Sequence, residues 1–443
     1  MRVTIVSQYF WPEQFRVNDL AVGLRERGHQ VTVLTGQPSY PRRDVFPRRR
    51  RPGWEWYEGV QVVRVPLASR GGGERWRLAL NYLTFAASAS VFGVPQLPPS
   101  DVVLVFQISP VTMVLPALVL RQIRGTPVVL WVQDLWPHTL RATGAVRSER
   151  VYSLLEKAVG AAYRRCGRVL GQSEDFLPLL RAAGVPADQL AYLPNWAEDH
   201  YRPLPPDPQV RREAGIPEGF VAMIAGNLGV AQTLETVVDA AERLRDLPGG
   251  ADVHWAILGD GQRAGWLADE VSRRGLGDRV HLLGRRPPER MPELLAHADV
   301  AVTTLRRDPV WTLTIPSRVQ SFLACGRPVV AAADGTTARV VAAAGGLAVP
   351  AQDAAALAGA IASVRMLTQA ERAAMGNAAR EYYVTHYERA ALLDRVERHL
   401  RDVTLRATAP ERIPTARPAQ MTDQPQPPGP DQPAASAAPG RAG

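Results

Sequence analysis

The chain is predicted to be an α/β protein made of two doubly wound, Rossmann-like parallel sheets that face each other across a cleft, closed by C-terminal helices that cross back. Three observations lead there. Short apolar runs alternate with stretches of helical period along most of the sequence. A polar, proline-rich segment at 196–217 splits that alternation into halves of similar length. The 443 residues also exceed what one core spans, since cores stop growing near about 250–300 residues.

In the first half, RVTIVS (Arg2–Ser7) reads as a buried strand, followed by the loop QYFWPEQFR. A helix follows, in which Val17, Leu20, Ala21 and Leu24 recur at i, i+3, i+4 and i+7, and Gly28 stops it. VTVLT (Val31–Thr35) is the next strand, which places Glu13–Asp19 at the carboxyl edge where open α/β sheets bind ligands. A loop holds the basic cluster Arg48–Arg51 with Trp54, Trp56 and Tyr57, ahead of the strand Val60–Val65. The apolar helix from Trp76 to about Val94 is short for a membrane span and carries Asn81, Thr84, Ser88 and Ser90, which suits a core or interfacial helix. Strand Asp101–Gln107, helix Val111–Arg124, strand PVVLWVQD, helix Glu149–Arg165, strand RVLGQS, helix DFLPLLRAAG and strand LAYLPN complete this half.

The second half opens with strand FVAMIAG, loop Asn227–Ala231 and helix Gln232–Leu247, then strand VHWAILG, a helix to Arg274, strand RVHLLG and helix PERMPELLAHA. Strand Val300–Leu305 leads through a loop with Asp308, Pro309 and Trp311 to a helix from Pro316 to Cys325 and a strand Pro328–Ala333. Proline fits a first helical turn, and Gly326 followed by Pro328 is a helix stop. Strand Leu347–Pro350, the helix DAAALAGAIASVRML and helical runs over Gln369–Arg401 end the fold. From Thr404 the chain holds nine of its 38 prolines and no aromatics, the composition of a disordered tail.

Composition narrows the function. With 46% hydrophobic and 21% charged residues the chain is of soluble globular type, and two cysteines with no cleavable signal point to the cytosol. The net charge of +9 is scattered rather than gathered into a nucleic-acid recognition element, so no nucleic-acid partner is expected. Lys157 is the only lysine and no glycine loop precedes it, which argues against P-loop and pyridoxal enzymes. There is no D-x-D triplet, so no metal site is expected.

Several motifs carry chemistry. The helix start at Pro316, Ser317 and Arg318 aims free N–H groups and a cation at a sheet edge, a place for phosphate. Gly226-Asn227-Leu228-Gly229 turns from strand to helix with backbone open to a diphosphate, and Gln232 follows it. Gly259-Asp260-Gly261-Gln262-Arg263-Ala264 matches the dinucleotide fingerprint, and Arg285-Arg286 would suit a 2′-phosphate, so an NADP-dependent oxidoreductase stays open; the match falls on the second strand of its half, where such a domain needs it on the first. Asp308, Pro309 and Trp311 would wall a sugar pocket. Gln133 and Asp134, with His138 nearby, end a buried strand and are the candidate catalytic and orienting groups. Glu13, Arg16, Asn18 and Asp19 line the same edge as candidate acceptor contacts, although an ordinary capped helix explains Asn18 and Asp19 nearly as well.

These segments together resemble the retaining GT-B-fold glycosyltransferases of family 4, in the bacterial colanic-acid and O-antigen branch. The resemblance rests on SQYFWPEQFRVNDLAVGLRERGHQVTVLTGQPSYP, VQDLWP, LPNW, AGNLGVAQTLETVVDAAERL, LGDGQ and DPVWTLTIPSRVQSFLACGRPVVAA, in that order. It implies an N-terminal acceptor domain (1–195), the linker (196–217), a nucleotide-sugar domain (218–385), a crossover helix (386–403) and the tail (404–443). It further implies a nucleoside-diphosphate sugar donor, UDP by expectation, with its diphosphate on the Gly226–Gly229 loop and the Pro316–Arg318 helix start and its base near Gly284 and Arg285. No cofactor or metal is implied. The acceptor would be lipid-linked or a glycan, with peripheral contact at the inner membrane face through the Arg48–Tyr57 loop and the Trp76 helix. The sequence departs from the family pattern at Asn227 and Gln232, where arginine and lysine are usual, at Leu313 and Ser321 in place of paired glutamates, and at Gln133 in place of a histidine. A non-catalytic nucleotide-sugar-binding scaffold is therefore a further alternative.

Overall fold

The computed structural model describes residues 1–40, 52–71 and 74–408. The basic cluster Arg48–Arg51 and the tail from 409 on lie outside them. Residues Met1–Ala407 form one compact unit.

Eight strands come from the first half: β1 (Arg2–Val6), β2 (Gln30–Gly36), β3 (Gly53–Tyr57), β4 (Val60–Val65), β5 (Val102–Gln107), β6 (Val128–Val132), β7 (Arg168–Gly171) and β8 (Leu190–Tyr192). They line up as β3-β4-β2-β1-β5-β6-β7-β8, parallel except for antiparallel β3 at the edge. Trp54, Trp56 and Tyr57, expected in a loop, form that edge strand. The tight turn at Glu58 and Gly59 (φ 46° and 74°) reverses the chain, and period-two alternation leaves Trp54 and Trp56 outward. The helices are α1 (Arg16–Glu26), α2 (Arg75–Ser88), α3 (Val94–Gln96), α4 (Leu115–Arg124), α5 (His138–Ala142), α6 (Glu149–Arg164) and α7 (Phe176–Ala182), with a π-helical turn Ala89–Gly93 joining α2 to α3.

In the segment expected to be a featureless linker, α8 (Pro208–Ala214) forms: Asp207 caps it through the Gln209 N–H at 2.8 Å, and Pro208 sits in the first turn. The second half then adds β9 (Phe220–Ala225), α9 (Leu234–Arg243), β10 (Val253–Leu258), α10 (Ala264–Arg273), β11 (Val280–Gly284), α11 (Met291–Leu295), β12 (Val300–Thr304), α12 (Ser317–Ala324), β13 (Val329–Ala332), α13 (Thr336–Ala343), β14 (Leu347–Val349) and α14 (Ala354–Met366). Its six strands run β11-β10-β9-β12-β13-β14, all parallel. Helices cover both faces, which is why β9 (FVAMIA) and β12 (VAVTT) are buried at every position.

The chain closes with α15 (Gln369–Tyr387) and α16 (Arg389–Thr408), so helix continues through 404–408, where the tail was expected to begin. Tyr383 and Tyr387 of α15 belong to the core of the second sheet, whereas Leu392, Leu393, Val396, Leu400 and Val403 of α16 share the core of β1, α1 and β2. Each of those aliphatic side chains contributes about 1.5–3 kcal/mol on burial. Gly23 makes room for the crossing, since a Cβ there would stand 2.7 Å from Leu393 Cδ1.

Candidate active site

The donor side is built where β9 and α12 meet. Gly226 takes φ 119°, a conformation that favours glycine, and the turn brings the Asn227 carbonyl to Arg318, whose Nη2 donates to it at 2.8 Å. A Cβ on Gly226 would lie 3.3 Å from the guanidinium carbon. Two motifs 91 residues apart are thus in contact. Among the described residues no carboxylate pairs with Arg318, and burial pulls its pKa down to about 10. The group still carries its charge at neutral pH, and an anion is what stabilises it there.

The rest of the loop is tied down. Gln232 Oε1 accepts the Gly229 N–H at 3.0 Å, the Leu228 N–H donates to the Asp260 carbonyl at 2.9 Å, and the Arg306 N–H donates to the Ala231 carbonyl at 2.8 Å. Gly259 and Gly261, expected on the donor, pack closely on this loop: a Cβ at Gly259 would sit 1.9 Å from the Gly226 carbonyl oxygen, and one at Gly261 would sit 2.6 Å from that of Leu228. Arg285 is exposed at the end of β11, while Arg286 turns to the Ala214 carbonyl at 3.2 Å, so the pair expected to hold a 2′-phosphate is split.

Asp308 caps its own turn, accepting the Val310 N–H at 2.9 Å, and the 3₁₀ turn Trp311–Leu313 follows. Pro309 is exposed and Trp311 half-buried. Leu313 packs against the first half's core, which includes Leu135 and Trp136. Ser317 is exposed in the first turn of α12, whose N-cap, Pro316, offers no side-chain acceptor.

On the opposite edge, Asp134 Oδ2 accepts from the Ser109 N–H (2.9 Å) and Oγ (2.7 Å). Burial raises its pKa, opposed by those two donors. Gln133 belongs to a buried amide cluster: its Oε1 accepts from Asn195 Nδ2 at 2.7 Å and its carbonyl from Gln172 Nε2 at 3.3 Å. Gln133 Nε2, Gln172 Oε1 and Asn195 Oδ1 are left without a hydrogen-bond partner among the described residues. Three unsatisfied amide atoms at the ends of β6, β7 and β8 suit a ligand rich in hydroxyls.

The other expected acceptor contacts are engaged internally. Glu13 is 2% exposed and accepts the Ser39 and Tyr40 N–H groups at 2.8 and 2.6 Å. Asn18 bridges the Trp11 N–H and the Glu13 carbonyl at 3.0 and 2.7 Å. Asp19 accepts from Trp196 Nε1 at 2.7 Å and pairs with Arg389 at 2.8 Å, and Arg16 pairs with Glu198. These four shape the edge and hold the linker and α16, and Arg16 keeps Nε and Nη1 without a hydrogen-bond partner among the described residues. His138 turns away toward α6, edge-on to Tyr152 at 6.1 Å, beside a cavity of about 70 Å³ lined by Glu156, Val159 and Tyr163. Burial holds its pKa low. Sequence reasoning gave no role to Gln172, Asn195, Ser109 and Trp136, although Asn195 and Trp136 lie in the LPNW and VQDLWP motifs and Gln172 follows a strand.

Residues 14–196 match the glycosyl transferase 4-like domain and residues 219–365 the glycosyl transferases group 1 domain. The chain is a GT-B glycosyltransferase of the family 4 type. The transferase is 25% identical over 355 residues, 76% of this chain and 84% of the other, to WcaI of Escherichia coli (strain K12), whose name places it as a glycosyl transferase in colanic acid biosynthesis. Its fold is shared with Anabaena HepE, solved with UDP and glucose (TM-score 0.67, 17% identity, 90% of this chain and 99% of that one). It is shared also with WaaG, a glycosyltransferase of lipopolysaccharide biosynthesis (TM-score 0.62, 16% identity, 93% and 100%).

Proposed function

We propose that the transferase moves a sugar from a UDP-sugar to a lipid-linked or glycan acceptor in cell-surface polysaccharide synthesis, with retention of anomeric configuration and without a metal. One observation carries the reading: a half-buried arginine, with no carboxylate partner among the described residues, rests on a glycine turn at the carboxyl edge of the second sheet. Diphosphate oxygens would be met by Arg318 and the N–H groups of α12's first turn, and the negative charge that grows on the leaving group would be stabilised there. The UDP complex of HepE supports the choice of base. The amide cluster of Gln133, Gln172 and Asn195 would hold sugar hydroxyls, and Asp134, fixed by Ser109, would orient the attacking hydroxyl for same-face transfer. Trp76 (64% exposed), Leu83 (59%) and Phe92 (59%) would rest on the inner membrane leaflet.

Arg318→Ala tests the donor site. Losing a charge-assisted contact of about 1.5–3 kcal/mol should weaken UDP binding by at least about tenfold in calorimetry, with the thermal unfolding midpoint unchanged. Unaltered UDP affinity would refute the assignment. Turnover should also persist in excess EDTA.

A further inference from the structure

Arg70, in the loop between β4 and α2, stands apart from the donor site. Among the described residues it forms no ion pair; its Nη1 donates to Tyr9 Oη at 2.6 Å, and its guanidinium carbon lies 5.8 Å from the centre of the Tyr9 ring and 5.1 Å from that of Tyr40. Phe15 packs on both rings, 5.2 Å from Tyr9 and 5.4 Å from Tyr40. From α2, Tyr82 stands beside Tyr9 and meets Trp136 edge-on at 6.5 Å. Trp136 Nε1 in turn donates to Ser109 Oγ at 3.0 Å, and that hydroxyl donates to Asp134. A continuous wall therefore runs from Arg70 to Asp134.

The carboxylates along it are committed: Glu13 to the Ser39 and Tyr40 N–H groups, Asp134 to Ser109. An arginine stacked on aromatic rings, with no carboxylate partner among the described residues, offers the planar fork that phosphate oxygens fill, and the Tyr82 hydroxyl beside it adds a donor. The same helix has a second character on its other side. Trp76, Leu80 and Leu83, at i, i+4 and i+7, are 64%, 43% and 59% exposed, and the π-helical turn adds Val91 and Phe92 at 62% and 59%. A cation inside and an apolar stripe outside, on one helix and its leading loop, match a molecule with a phosphate joined to a hydrocarbon chain.

We propose that Arg70, held by Tyr9, and Tyr82 bind the phosphate of an acceptor whose phosphate also carries an apolar chain, so that its saccharide lies along Trp136 toward Asp134. This rests on the transferase reading and narrows its acceptor. The probe is farnesyl diphosphate, titrated into the full chain by calorimetry below its micellar range. Wild type should bind it, with farnesol and inorganic pyrophosphate each at least about tenfold weaker. Arg70→Met should cost at least about tenfold for farnesyl diphosphate, Arg70→Lys should restore part of it, and UDP affinity should stay within about twofold in both. Arg318→Ala should show the reverse pattern.

Equal affinity of Arg70→Met and wild type for farnesyl diphosphate would overturn the proposal, as would pyrophosphate binding wild type as tightly as farnesyl diphosphate. It also falls if Arg70→Met loses flotation with vesicles containing phosphatidylglycerol yet keeps the probe, because Arg70 then serves a bilayer headgroup. If wild type ignores UDP while the probe binds and Arg70→Met loses it, the donor reading fails and the phosphate corner stands.

Discussion

Glu13 shows how far a residue's role depends on partners distant in the sequence. At a sheet edge in a polar loop it reads as a ligand contact, yet the fold closes the 38–40 segment over it, and burial outweighs three backbone donors to raise its pKa to about 7. The native state therefore prefers the protonated form. Its contribution to stability is full below about pH 4.5 and is lost as pH rises through about 7. Glu13→Gln should flatten the fall in unfolding free energy between pH 5 and 8, a difference on the order of 3 kcal/mol by urea denaturation; an unchanged slope would contradict it. The internal partners of Asp19 were out of reach for the same reason, because Trp196 and Arg389 lie 177 and 370 residues away. Arg318 was legible because proline before the helix and Gly326 after it mark its place. Arg70, in an unpatterned loop, gave no such signal.

At the scale of elements, most strands and helices were visible as periodic runs, and their order reproduced the sheets. What escaped was short or set by pairing: edge strand β3, made by a turn; α5, five residues long; α8 within polar sequence; and α13. The glycines of LGDGQ were read as donor contacts, and their packing on the neighbouring turn was not visible in the sequence. Since a Cβ at Gly259 would stand 1.9 Å from the Gly226 carbonyl, Gly259→Ala should displace the Gly226–Gly229 turn and weaken UDP binding by about tenfold, although that position need not touch the nucleotide. On α16, Leu393→Ala should cost about 2–5 kcal/mol in denaturant titration, because the side chain is 1% exposed in the core of the first sheet.

For the molecule as a whole, contacts between the halves were the least legible feature, since no local pattern encodes them. Besides α16, Asp175 at the start of α7 takes Thr336 and Arg339 from α13, and Leu313 enters the first core. Burial works to raise the Asp175 pKa, but those hydrogen bonds outweigh it and hold the carboxyl below its usual range. Asp175→Asn should loosen this contact, seen as a larger radius of gyration in solution scattering without UDP.

The central claim places a nucleoside diphosphate between the Gly226–Gly229 turn and Arg318. A crystal structure of the full chain soaked with UDP tests it most directly. Diphosphate density within hydrogen-bond distance of Arg318 and the N–H groups of α12's first turn is the expected result; UDP bound elsewhere, with Arg318 still donating only to Asn227, would contradict the account.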